Sequence, residues 1–331
     1  MALLFMDGFD ASDAALKWVS IGTPTFATTT RFGTGKAMNP QASQTPTRAF
    51  PASSQVYVGA AVSVASFGAV RDIFTLLGDT ATTAHLVLNT SASGGSLELR
   101  RGATTLAVSA VGVLPASTWV YLEMSATIAD TGGTCVVRVN GVEVINFTGD
   151  TKNAGTNSTI DALRLASNTG ANVYSYDDLY LCDSTGSTNN TFLGDVRVQT
   201  LLPTGVGAST QFTPSVGSNW DNVNDTPYVS TTYNSSATAG QRDTYAMSDL
   251  LSGTGTVFGV QDNILALKSD AGAASIKAAL KSGATVYYDS TVALGTALGA
   301  FAAAVRETDP ATSAAWTPTN VNALEFGAEV A

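Results

Sequence analysis

The chain has 331 residues and a net charge of −10, with 44% hydrophobic and only 13% charged residues, a length that fits two domains with a sizeable core. The acidic balance and the lack of any basic run exclude nucleic acid as a direct partner, because phosphates need clustered Lys and Arg. No apolar run reaches the roughly 18 residues of a membrane span, so no membrane insertion is expected.

The opening Leu3-Leu4-Phe5-Met6-Asp7-Gly8-Phe9-Asp10 is a short apolar run with polar flanks. It reads as a strand, and it is too short and lacks the basic leader of a signal peptide. Its expected partner is Asp177-Asp178-Leu179-Tyr180-Leu181-Cys182-Asp183. Pairing of these two runs would close a sandwich and end a domain at residue 183. Gly33-Thr34-Gly35-Lys36 lacks the upstream glycine of a phosphate loop and reads as a turn.

Strands are expected at 55–64, 72–77, 85–89, 96–100, 105–108, 119–124, 135–139 and 142–145, broken by Gly, Ser or Asn. Asn140-Gly141 is the hairpin signal between the last two. Many short strands with regular turn signals indicate a β-sandwich. Trp119 falls among alternating apolar residues and is expected in the core. Cys135 and Cys182, the only cysteines, lie in strand-like runs and are expected as buried free thiols.

Residues 184–193 form a polar linker. A second, smaller β-rich domain is expected over 194–331, beginning with a strand at 194–199. The stretch 203–240 is rich in Gly, Ser, Thr and Asn and reads as long loops punctuated by Phe212, Trp220 and Tyr228. Strands follow at 243–247, 257–260 and 264–268. Residues 273–280 and 297–306 carry both helix and strand signals, with strand favoured at the first. Thr317-Pro318 is an N-cap followed by Pro at the first helical position. A short helix is expected from there through Phe326, ended by Gly327.

A reactive centre is hard to assemble. His85 is the single histidine and sits between apolar neighbours, so a structural or surface role is expected. Only six residues are Glu, and no strand carries the paired acids that glycoside hydrolysis requires. Asp177 and Asp178 are adjacent, so in a regular strand they point to opposite faces. A depolymerase is therefore the least supported reading, and no enzymatic activity is expected. Asp7, Asp10, Asp177 and Asp178 could converge on Ca²⁺ if the first and last strands pair, since hard oxygen ligands are what that ion needs. Calcium is the one cofactor the sequence allows. Trp220, set in Ser218-Asn219-Trp220-Asp221-Asn222, and Tyr228 are the candidate sugar-stacking aromatics.

Phe5-Met6-Asp7-Gly8-Phe9-Asp10, Lys17-Trp18 and Tyr176-Asp177-Asp178-Leu179-Tyr180-Leu181 resemble laminin G or concanavalin A-like jelly-roll domains found in bacteriophage structural proteins. Phe192-Leu193-Gly194-Asp195-Val196-Arg197-Val198, Asn219-Trp220-Asp221-Asn222-Val223 and Ala315-Trp316-Thr317 continue the resemblance toward the C-terminus. It implies an all-β protein, an N-terminal jelly-roll sandwich followed by the β-rich domain with its short C-terminal helix. It also implies a virion component made in a bacterial host cytoplasm, in a capsid-decorating, tail or fibre position. Its partners would be other virion proteins and copies of itself, with a trimer favoured. Low charge and many small hydroxyl residues suit flat subunit contacts. The alternative is an adhesin whose lectin-like domain binds host surface glycan.

Overall fold

In the computed structural model, residues 2–10, 17–18, 25–27, 30–42, 44–92, 94–166 and 173–331 are described. The protein is all-β and divides into two compact units, the first running to Val198 and the second built on Gln199–Ala331.

Among the described residues, fourteen strands make the first unit: β1 (Leu3–Asp7), β2 (Thr25–Ala27), β3 (Ala37–Asn39), β4 (Thr47–Ser53), β5 (Gln55–Val64), β6 (Arg71–Gly78) and β7 (Thr83–Thr90). They continue as β8 (Leu97–Arg101), β9 (Thr104–Val108), β10 (Trp119–Thr127), β11 (Gly133–Val139), β12 (Val142–Gly149), β13 (Ile160–Leu165) and β14 (Tyr174–Asp183). One sheet has the order β12-β11-β10-β5-β14-β3-β2, with β1 also pairing β14, and the other runs β4-β13-β6-β7-β8-β9. The first and last strands pair antiparallel, Met6 opposite Tyr180 and Asp7 opposite Leu179.

Alternation explains the two layers. Phe74, Leu76, Leu86, Leu88, Leu99, Leu163 and Leu165 of the six-stranded sheet are all fully buried on its inner face. Tyr174 and Tyr176 reach from β14 across the core, their hydroxyls donating to the carbonyls of Arg71 and Ile73 at 3.0 Å each. A bulge in β6 between Asp72 and Phe74 interrupts the ladder there, and these hydroxyls pair carbonyls at the break. Asn140 and Gly141 turn the β11–β12 hairpin with φ of 49° and 78°, the positive pair such a turn demands. Cys135 and Cys182 are buried free thiols. Trp119 is only half-buried, because it opens β10 at the sheet's end, opposite Ser63, and is not the core residue expected.

The stretch expected to be a linker folds onto the first unit. Phe192 stands edge-on to Tyr57 and under Arg138. Leu193 N donates to Tyr180 Oη at 3.1 Å, and Gly194 N to Glu123 Oε1 at 2.9 Å. Residues 194–199 form no strand; Gly194 N and Val198 N donate to Glu123 and Asp178 instead.

The second unit contains β15 (Pro203–Thr210), β16 (Thr213–Pro214), β17 (Asn234–Ser235), β18 (Arg242–Met247), β19 (Asn263–Ala266), β20 (Ser275–Ser282), β21 (Thr285–Tyr288), β22 (Val292–Ala293), β23 (Gly299–Ala302) and β24 (Glu325–Val330). The main sheet has the order β15-β18-β24-β20-β21, with β22 beside β20. Two ribbons, β16-β17 and β19-β23, accompany it. Residues 257–260 contribute isolated bridges only. The C-terminal helix covers Pro318–Asn322, with the Thr317 side chain accepting from Asn320 N. It ends earlier than expected, because Glu325–Val330 becomes β24 at the centre of the sheet. Val321, Leu324 and Phe326 still enter one core with Val260, Leu280 and Trp316.

Candidate functional site

The four aspartates expected to hold calcium are each engaged by the protein itself. Asp7 accepts from Phe9 N and from Trp18 Nε1, both at 3.0 Å. Asp10 accepts from Lys36 N at 3.0 Å. Asp177 and Asp178 do meet, against the expectation that neighbours on a strand diverge. A bulge between Asp177 and Tyr180 puts Asp178 at φ 51° and turns both carboxylates toward Arg31. Arg31 N lies 3.3 Å from Asp177 Oδ2, and its guanidinium reaches Asp178 at 3.4 Å, Asp195, and the Val196 carbonyl at 3.3 Å. Among the described residues, no three His, Cys, Asp or Glu gather as a metal site. A guanidinium supplies counter-charge to the aspartate pair.

Burial pushes the Asp177 carboxyl up to about 7, with Asp178 beside it adding to the shift. Asp178 is raised by burial too, while the N–H of Val198, at 2.8 Å, and Arg31 hold it back. This is a structural clasp on residues 195–198.

Trp220 lies in a 3₁₀ turn, Asn219–Val223, and is half-buried; Tyr228 is 44% exposed on the same loop between β16 and β17. Tyr233, which the sequence reading passed over, is more exposed still at 54%. Asn219 donates to Asp243 at 2.6 Å and Asn234 to Tyr245 Oη at 2.9 Å, so buried amides fix the loop that presents these rings. No contact joins Trp220 to Tyr228.

A more pronounced polar surface lies on the outer face of the six-stranded sheet, and the sequence reading did not find it. Cross-strand register places Thr47, Arg164, Thr75, Val87, Arg100 and Thr105 in one row, one residue from each strand. Beside it runs a second row of Asp72, Asn89, Glu98 and Val108. Along β7, Val87 and Asn89 alternate with the core-facing Leu86 and Leu88, while His85 is the extra residue where the register shifts from Leu86 opposite Leu76 to Ala84 opposite Leu77.

Several polar atoms of these rows are buried without a hydrogen-bond partner: Thr75 Oγ1, Asn89 Oδ1 and Arg100 Nε; so are both ring nitrogens of His85 at the register shift. Thr75 and Asn89 are only 2% and 3% exposed. Burial lowers the His85 pKa, which disfavours the charged ring. Asn89 Nδ2 donates to Asp72 at 2.9 Å, and Thr105 donates to Glu98 Oε1. Arg100 Nε lies 3.2 Å from the same Glu98 oxygen, outside hydrogen-bond geometry. Buried polar groups cost free energy when left unpaired, and ordered water is the ordinary partner of groups that the protein itself does not bond.

No protein-family model matches the chain, and no curated protein matches it. Solved structures match the sandwich. A sialidase is 14% identical with a TM-score of 0.40, covering 54% of this chain but only 18% of the sialidase. A Bacillus subtilis protein of unknown function with a galectin-like fold is 15% identical with a TM-score of 0.39, covering 55% of this chain and 96% of its own. The Bacillus subtilis carbohydrate-binding module CBM66 is 11% identical with a TM-score of 0.35, covering 50% and 96%. These likenesses are of fold. The expectation that the chain is no enzyme is withdrawn, since sialidases and alginate lyases are among the matched structures.

Proposed function

We propose that the chain is a glycan-binding protein whose sandwich unit takes saccharide on the outer face of the six-stranded sheet. The observation carrying this reading is the set of buried polar groups without a hydrogen bond there, Thr75 Oγ1, Asn89 Oδ1 and Arg100 Nε. Sugar hydroxyls both donate and accept, so one ligand can satisfy acceptors such as Asn89 Oδ1 and donors such as Arg100 Nε. Val87, half-buried at the centre of the row, offers an apolar floor to a sugar ring.

The test is a glycan array probed with the whole protein, followed by titration of the best ligand. Val87→Trp, which fills the face, should weaken binding at least about tenfold, while Tyr228→Ala should leave it unchanged. Absence of any bound glycan, or loss in the Tyr228 variant alone, would remove the reading.

A second reading, assembly into a virus particle as a decorating, tail or fibre subunit, is favoured by a different observation. With 13% charged residues and abundant small hydroxyl side chains, the chain desolvates cheaply in wide subunit contacts. The two roles are compatible, since a particle's attachment subunit both assembles and binds. Mass spectrometry of purified particles together with the protein's solution mass tests it. A chain absent from particles and monomeric at all concentrations would count against it.

A further inference from the structure

We propose that the ligand of the outer face is an acidic saccharide lying across the strands, its carboxylates met by Arg164 at one end and Arg100 at the other. This deepens the glycan-binding reading and rests on it. Arg164 makes a single hydrogen bond, Nε to Thr47 Oγ1 at 3.5 Å, and among the described residues no carboxylate lies within ion-pair range of it. Its terminal nitrogens remain available in a chain where cations are scarce, 16 against 26 acids. Arg100 Nε is ion-paired with Glu98 Oε1 at 3.2 Å without making a hydrogen bond, and no ion pair to another acid engages its terminal nitrogens among the described residues.

The acids of this face are already occupied. Glu98 is held by Thr105 and neighbours Arg100, and Asp72 accepts from Asn89. His85, at the far end of β7, has its pKa lowered by burial, which disfavours the charged ring. Adjacent strands stand about 4.8 Å apart, so the three steps from Arg164 through Thr75 and Val87 to Arg100 span about 14 Å. That distance exceeds one sugar ring, so the two guanidiniums meet different units of a chain or different branches of a glycan. A planar guanidinium grips a carboxylate through two parallel hydrogen bonds, a selectivity that hydroxyl contacts lack.

The experiment is calorimetric titration of the whole protein with two acidic ligands, tetragalacturonate and 3′-sialyllactose, against their neutral counterparts, cellotetraose and lactose. At least one acidic ligand should bind about tenfold or more tightly than its counterpart. Arg164→Gln should erase that preference, with its fold checked by circular dichroism because Arg164 bonds Thr47. Arg164→Lys, which keeps the charge and loses the fork, should lie between. Arg100→Gln should also lower the preference, with its fold checked by circular dichroism because Arg100 neighbours Glu98. Equal binding of acidic and neutral ligands, or a preference that survives Arg164→Gln, overturns the proposal while leaving glycan binding standing. Failure of all four ligands together with an empty array removes both.

Discussion

Asp177 gives up its proton only near pH 7 when folded, against 3.8 ordinarily, because it is buried beside Asp178. Between about pH 4 and 7 the folded chain therefore holds more protons than the unfolded one, and this group's contribution to stability falls as pH rises. His85 acts in the opposite sense. Its pKa is lowered by burial, so stability is lost as pH falls below 6.5. Asp177→Asn isolates the first effect. Relative to the variant, the natural protein should lose on the order of 2–4 kcal/mol between pH 4 and 7.5, read from urea midpoints. Arg31→Met tests the clasp directly, since it leaves Asp178 buried without its cation. It should cost about 3 kcal/mol at pH 7.5 by the same measurement. Asp177 and Asp178 were conspicuous in the sequence as adjacent acids, but their convergence was not, because it depends on the bulge in β14. Nor was Arg31, because it meets Asp178 across 147 positions and nothing local marks it.

Short-range signals fared better among the strands than at their interruptions. Asn140-Gly141 announced its hairpin, and Thr317-Pro318 announced its helix start, because both depend on a few adjacent residues. Apolar Val321, Leu324 and Phe326 suggested helix throughout, yet β24 takes over because β18 and β20 offer a complete ladder on both sides. The bulges in β6 and β14 were invisible, since a bulge is defined by the partner strand's register. Two glycines separate local from long-range constraint. A Cβ at Gly141 would meet nothing within 4 Å and suffers only from φ of 78°, so Gly141→Ala should cost about 1–2 kcal/mol. A Cβ at Gly327 would stand 1.9 Å from the Asp243 carbonyl oxygen in the neighbouring strand. Gly327→Ala should cost about 3 kcal/mol or more, with hydrogen-exchange protection lost across β18, β24 and β20.

The division of the chain falls later than polarity alone indicates. Residues 184–193 look like a connector because they are Ser-, Thr- and Asn-rich, but Phe192, Leu193 and Gly194 serve buried groups of the sandwich. A fragment of residues 1–198 should unfold in one cooperative transition. A fragment ending at 183 strips Glu123 of the Gly194 N–H, Asp178 of the Val198 N–H and Arg31 of Asp195. It should be less stable by about 3 kcal/mol in urea, and equal midpoints would place the boundary back at 183. The all-β character and the sandwich were readable from strand spacing. The polar face was not, since its row draws on six segments whose adjacency only the completed sheet creates.

That row joins Thr47 to Arg164 across 117 positions of chain. An occupant gripping both ends would act as a tie-rod over separately wound segments, so peeling any one away would first require releasing the guest. Amide exchange should then slow together in β13, β6, β7 and β8 on saturation, and a pulling force on the bound guest would be shared by those four strands.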